Sequence, residues 1–286
     1  RVRVFRLDSN SWNQVGQDIM GFQDTIFSGD STVFIGRVLS INSDGSIIAV
    51  ADKEYSNNSG RVWVYQYINN SWVQLGQSIY GTLVPTPGTA LDISLALSNN
   101  GHTLVIGFDN EVQTNGVRTG VVKVFVWDGI SWIQKGSDII GNGPEMIGCA
   151  VDIDNVGDVI SIGSVKHSTF GTNEEGCVKI FEWNGTNWFQ NGLDIIGEAP
   201  FDESGHDVSL SSNGNIVAIG SPKNDGNGND AGHVRIYEYL SGSWNQLGQD
   251  IDGEADDNFG HSISLSSNGL TLAIGAYANT GSFGEL

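Results

Sequence analysis

The residues of this chain best able to do chemistry recur in step. A basic side chain stands three residues after the glycine of a G-x-V-x-V-aromatic phrase, at Lys123, Lys179 and Arg235, and Arg3 holds the same place where that glycine is missing. Fifteen residues later comes an aspartate: Asp18, Asp138, Asp194 and Asp250. Where Trp63 replaces the base, Ser78 replaces the acid. Charge and counter-charge come and go together, as an ion pair would require. If the last aromatic of the phrase faces the Trp of the next strand, Lys123 lies opposite Gly136 and diagonal to Asp138. Each base is then expected to lie over the glycine of its own unit and reach the aspartate beneath the Trp. Losing one partner of such a partly buried pair costs about 3–5 kcal/mol, which explains why both change at once.

Other candidates are sparser. Repeated carboxylates argue against a glycosidase pair, which should occupy one place, and no nucleophile elbow, phosphate loop, H-E-x-x-H or dinucleotide fingerprint occurs. No catalytic residue and no enzyme activity are expected. His206 and His261 share one position in successive units, a register that would bring them face to face, but Arg37, Ile93 and Cys149 fill it elsewhere, so there is no ring of metal ligands. The loop SPKNDGNGNDAG offers Asp225, Asn227, Asn229 and Asp230 as alternating oxygen donors for a hard cation. Calcium is the one candidate cofactor, and none is required. Sequons begin at Asn57, Asn69 and Asn184, the last two at expected hairpin tips. Cys149 and Cys177 are either a bridge near the limit of reach or two buried thiols.

The elements that position these groups follow from a repeat. The phrases WNQVGQDI, WVQLGQSI, WIQKGSDI, WFQNGLDI and WNQLGQDI begin at Trp12, Trp72, Trp132, Trp188 and Trp244, at steps of 60, 60, 56 and 56 residues. Each G-x-V-x-V phrase and the Trp phrase after it read as a β-hairpin, and each following apolar pair around an Asn-Gly or Asp-Gly turn reads as two more strands. Four antiparallel strands per unit of this length are the mark of a propeller blade. The expected fold is all-β, a propeller of about five four-stranded blades over 1–286, with units near 1–59, 60–119, 120–175, 176–231 and 232–286. Two strands at each end would share one blade and close the ring; the alternative is an arc of a longer propeller.

The phrase FGHSISLSSNGLTLAIGA, with GHVRIYEY and WNQLGQDIDGE beside it, resembles the FG-GAP repeat of integrin α-subunit-type propellers in its W-x-Q-x-G variant. At its place in the repeat the Phe-Gly pair survives only at Phe259 and Gly260, with Ile-Gly at Ile35 and Ile147 and Ser-Gly at Ser204. The resemblance implies adhesion or protein recognition. It does not carry over the calcium loops of integrin blades, because their place is taken by short turns such as SSNG at Ser211.

Thirteen basic against thirty-three acidic residues, a net charge of -20, would repel nucleic acid and anionic membrane surfaces. No run approaches the ~18 apolar residues of a membrane span, and no apolar leader opens the chain, which reads as a mature or excised piece. The sequence thus predicts a non-catalytic extracellular or surface module whose loops contact a protein or glycan, or copies of itself in an assembly. The alternative is a lectin or a propeller enzyme acting on polysaccharide.

Overall fold

A computed structural model describes residues 1–21, 35–53, 60–81, 92–112, 116–143, 145–169 and 173–278, which form strands and turns without a helix. The chain opens with a hairpin, β1 (Phe5–Asp8) and β2 (Ser11–Gln14). The first complete blade follows as β3 (Val38–Ile41), β4 (Ile47–Asp52), β5 (Arg61–Ile68), β6 (Ser71–Gln74) and the short β7 (Ile79–Tyr80). The second blade comprises β8 (Ile93–Leu97), β9 (Thr103–Phe108), β10 (Val121–Trp127), β11 (Trp132–Gln134) and β12 (Ile139–Ile140). The third comprises β13 (Val151–Ile153), β14 (Val159–Ser164), β15 (Cys177–Trp183), β16 (Trp188–Gln190) and β17 (Ile195–Ile196). The fourth comprises β18 (Asp207–Leu210), β19 (Ile216–Ser221), β20 (His233–Leu240), β21 (Ser243–Gln246) and β22 (Ile251–Asp252), and a last pair, β23 (Phe259–Leu265) and β24 (Leu272–Ala276), follows.

Within each blade the strands pair antiparallel in chain order, and the short fifth strand returns to the third. Tyr67 pairs with Trp72, as the repeat register requires. The second strand of a blade has neighbours on both faces, so β4 and β9 are buried along their whole length and read as continuous apolar runs. The core lies between blades: Ile47, Val62 and Val64 of the first pack with Leu104, Ile106 and Trp132 of the second. The first strands of successive blades, β3, β8, β13, β18 and β23, contact one another in turn and form the inner wall. The fold is therefore an all-β propeller, with four complete blades and two half-blades among the described residues. Among the described residues β1–β2 and β23–β24 are separate two-stranded sheets, so the expected shared blade is not formed between them.

Candidate functional site

The Trp phrase fastens one blade to the one before it. The indole Nε1 of Trp72 donates to the Val15 carbonyl at 2.8 Å, Trp132 to Leu75 at 2.9 Å, Trp188 to Lys135 at 2.7 Å and Trp244 to Asn191 at 2.8 Å. The ring occupies the space over the glycine of the preceding blade: a Cβ on Gly16, at φ +69°, would lie 2.8 Å from Trp72 Cδ1. This corrects the expected arrangement, in which a base lay over the glycine of its own unit. The small residue makes room for the neighbour's indole. Gln17 adds a paired contact, its Nε2 donating to the Trp72 carbonyl at 2.8 Å and its Oε1 accepting from the Trp72 N–H at 3.0 Å; Gln77 does the same at Trp132. Leu193 cannot, and a 490 Å³ crevice lies between it, Tyr237 and Trp244.

The base and acid of each unit lie close together, but in different surroundings. Lys179 Nζ is 2.7 Å from Asp194 and Arg235 Nη2 is 2.6 Å from Asp250, whereas Lys123 stands 3.6 Å from Asp138. Arg3 Nε lies 2.9 Å from Asp18 at a solvent-exposed site. Each of the three later bases has a second carboxylate: Glu111 beside Lys123 at 3.7 Å, Glu145 beside Lys179 at 3.6 Å, and Glu198 hydrogen-bonded to Arg235. These glutamates come from loops remote in sequence, and no regular spacing marks them. Burial opposes the charge of Lys179, but the Asp194 hydrogen bond together with the attraction of the surrounding acidic groups outweighs it and raises the pKa.

Two groups of metal-ligating type form here, His167–Cys177–Asp194 and Glu198–His233–Asp250. Lys179 and Arg235 already supply a fixed cation beside each. His233 is 2% exposed, its Nδ1 has no hydrogen-bond partner, and burial followed by the nearby Arg235 lowers its pKa.

A different cluster lies on the inner wall. The ring of His206, just before β18, packs against that of His261 of β23 at a tilt of 47° with centroids 4.5 Å apart, and Tyr277 lies 4.4 Å beyond His261. His206 Nδ1 is 3.5 Å from Glu203, and that contact holds the Glu203 carboxyl below its usual range. Burial, then the neighbouring His206, lowers the pKa of His261 and favours its neutral form. The shared position of the two histidines was visible in the repeat; Glu203 and Tyr277, which complete the cluster, were not.

The expected cation loop does not converge. Asp225 accepts the Asp230 N–H, Asn227 donates to the Gly253 carbonyl, Asn229 donates to Asp256, and Asp230 pairs with Lys223 at 2.9 Å. The turn uses these side chains to close itself, and they point to separate partners. Asn69 sits exposed at a hairpin tip, Asn184 is exposed but accepts three hydrogen bonds from its own turn, and Asn57 lies outside the described residues. Cys149 and Cys177 are free thiols, and burial pushes Cys149 up to about 12.

No family model matches the chain, and no curated protein matches it in sequence. Solved structures do share its fold. A candidate 6-phosphogluconolactonase of Bacteroides uniformis superposes with a TM-score of 0.57 at 13% identity, over 95% of this chain and 70% of its own. The periplasmic gluconolactonase of Pseudomonas aeruginosa gives 0.54 at 15% identity, again over 95% and 70%. Hydrazine synthase of Kuenenia stuttgartiensis gives 0.52 at 17%, over 84% and 61%. The chain has a propeller fold. These neighbours correct the expectation of a non-catalytic, integrin-like adhesion or structural module, since two bear lactonase names and the third is an enzyme. Identity this low establishes the arrangement of blades and leaves the reaction to the site.

Proposed function

We propose that this chain is a hydrolase that opens sugar lactones at the inner-wall cluster, with His206 as the proton acceptor. The observation that carries the proposal is the tilted, closely packed pair His206–His261 with Glu203 at 3.5 Å from His206. The Lys/Arg–Asp pairs recur blade after blade and serve architecture, while two adjacent imidazoles on the inner wall occur at one place among the described residues. A carboxylate beside Nδ1 orients the ring and leaves Nε2 to act, the usual arrangement for a histidine base.

In the proposed reaction His206 takes a proton from water as its oxygen attacks the lactone carbonyl carbon. The ring C–O bond then breaks, and the departing alkoxide takes the proton back from the imidazolium. The product is the open hydroxy acid. Supporting this class are the two lactonase-named structures of the same fold. A net charge of -20 favours an uncharged lactone over a phosphorylated one. On this reading the FG-GAP-like phrase builds blades and does not mark adhesion. Placement outside the cytoplasm is part of the proposal, supported by the exposed sequon asparagines and the periplasmic neighbour.

The test is hydrolysis of δ-gluconolactone followed by pH-stat. His206→Gln should lower kcat by about 10²–10⁴ with an unchanged melting temperature. A wild-type rate no higher than buffer, or a His206→Gln rate equal to wild type, would overturn the proposal.

A further inference from the structure

One position of the repeat, the residue after the glycine that opens the third strand, is buried in three successive blades and filled by Val121, Cys177 and His233, which are 1%, 0% and 2% exposed. Val121 shows that packing there asks only for an apolar side chain, so His233 brings a polar group that the blade does not need. Its Nδ1 is buried with no hydrogen-bond partner among the described residues, and it faces Glu198 Oε1 at 3.9 Å and Asp250 Oδ2 at 4.0 Å. A buried polar atom left unpaired is costly, and a bound ion is one of the recognised reasons for it. The two carboxylates are fixed by other donors: Arg235 reaches both, Gln246 donates to Asp250 Oδ1 at 2.6 Å, and Asn224 donates to Glu198 Oε1 at 3.0 Å. A carboxylate oxygen has two acceptor sites, so Glu198 Oε1 and Asp250 Oδ2, with one donor each, keep one site each.

The geometry points to a site for one divalent ion of the zinc class, ligated by His233 Nδ1, Glu198 Oε1 and Asp250 Oδ2, with water at the open position. One imidazole with two carboxylate oxygens suits a first-row transition ion, whereas Ca²⁺ and Mg²⁺ are held by oxygen ligands. Tetrahedral bonds of about 2.0–2.1 Å set ligand atoms about 3.4 Å apart, so each carboxylate moves about half an ångström towards His233. Both can do so, because their side chains are 40% and 29% exposed while the imidazole is held in the core, and the same exposure gives the ion a way in. Charge fits as well. Glu198, Asp250 and the buried Asp202, which shares the Asn224 donor with Glu198, are three carboxylates against the one guanidinium of Arg235, a surplus of two that a divalent ion neutralises. Arg235 then acts as an outer partner that orients both ligating carboxylates. Glu198 follows β17 of the third blade, while His233 and Asp250 belong to the fourth, so the ion ties one blade to the next.

The experiment is calorimetric titration of the chelator-washed protein with Zn²⁺, on the wild type, His233→Val, Glu198→Gln and Cys177→Val. Valine is the residue the repeat itself carries at Val121, so His233→Val should keep the fold, and an unchanged near-ultraviolet spectrum checks it. The wild type should take up one Zn²⁺ per chain. Loss of the ligand His233 should weaken binding by at least about 100-fold and Glu198→Gln by at least about 10-fold, since partners of ligands alone cost about 10–100-fold. Glu198→Gln, at a partly exposed side chain, carries the test if His233→Val does not fold. Cys177→Val should leave the affinity unchanged, which separates this site from the His167–Cys177–Asp194 group of the third blade. In ¹⁵N-imidazole spectra of the wild type, Zn²⁺ should move the His233 signal. A wild type that shows no one-to-one uptake overturns the proposal. So does an affinity that His233→Val and Glu198→Gln leave unchanged, a loss through Cys177→Val in their place, or a His233 signal that Zn²⁺ does not move.

Discussion

Replacing Lys179 by Met should destabilise the protein far more than replacing Arg3 by Met, although the two bases hold the same place in the repeat. Lys179 is 6% exposed and sits 2.7 Å from Asp194 and 3.6 Å from Glu145. At an effective dielectric of about 20 those pairs are worth roughly 6 and 5 kcal/mol before desolvation is subtracted. Removing the cation leaves two carboxylates at a largely buried site, for which the net cost is about 3–5 kcal/mol. Asp194 keeps Gln190 as a donor at 2.6 Å, and Glu145 keeps His167 at 3.0 Å and the Asn142 N–H at 3.1 Å, so the low end, about 3 kcal/mol, is expected. Arg3 lies at an exposed site, where solvent screening leaves such a pair little to contribute. The assay is urea unfolding followed by Trp fluorescence at pH 7, repeated at lower pH. Glu145 is held below its ordinary 4.5, despite burial, by hydrogen bonds from His167 and Asn142 and by the charge of Lys179. Its contribution is therefore present above pH 4.5 and lost as pH falls through the lower folded value, so the penalty of Lys179→Met should shrink in acid. A cost equal to that of Arg3→Met, or one that does not change with pH, would refute the reasoning.

Three further outcomes are expected. Gly136→Ala should cost at least about 2 kcal/mol by urea unfolding, because the added carbon would meet Trp183 at 2.8 Å and Trp188 at 2.9 Å at a φ of +79°. Asp109 is pushed up to about 7, first by burial and then by Asp92, so its contribution to stability is full below pH 3.8 and falls as pH rises to about 7; Asp109→Asn should flatten the stability profile across that window, and equal slopes for the two proteins would count against it. Cys149 and Cys177 should resist Ellman's reagent in the native protein and react on unfolding, because burial raises both thiols.

The repeat made the blades legible because strand period and turn chemistry are local: Tyr67 pairs with Trp72 as the aromatic spacing requires. It also marked the base and acid of each unit, since partners in one hairpin must vary together. The glycine's purpose was not legible. The indole above Gly16 belongs to Trp72, more than fifty residues on, and a period in sequence does not say which neighbouring blade fills a gap. Glu203 was likewise hidden, because the matching positions two residues before the inner-strand glycine, Met146 and Asn258, carry no carboxylate.

The sequence by itself determined an all-β chain of repeated four-stranded units, its acidic charge, and which residues must change together. Those properties depend on near neighbours along the strand and across a hairpin. Tertiary structure decided what sits between units: the indole over the preceding blade's glycine, the second glutamate beside Lys179, and the contact of His206 with His261 on the inner wall. It also kept β1–β2 and β23–β24 in separate sheets among the described residues. Such contacts depend on how each blade is turned against the next, and that angle is set by the packed core of both blades together.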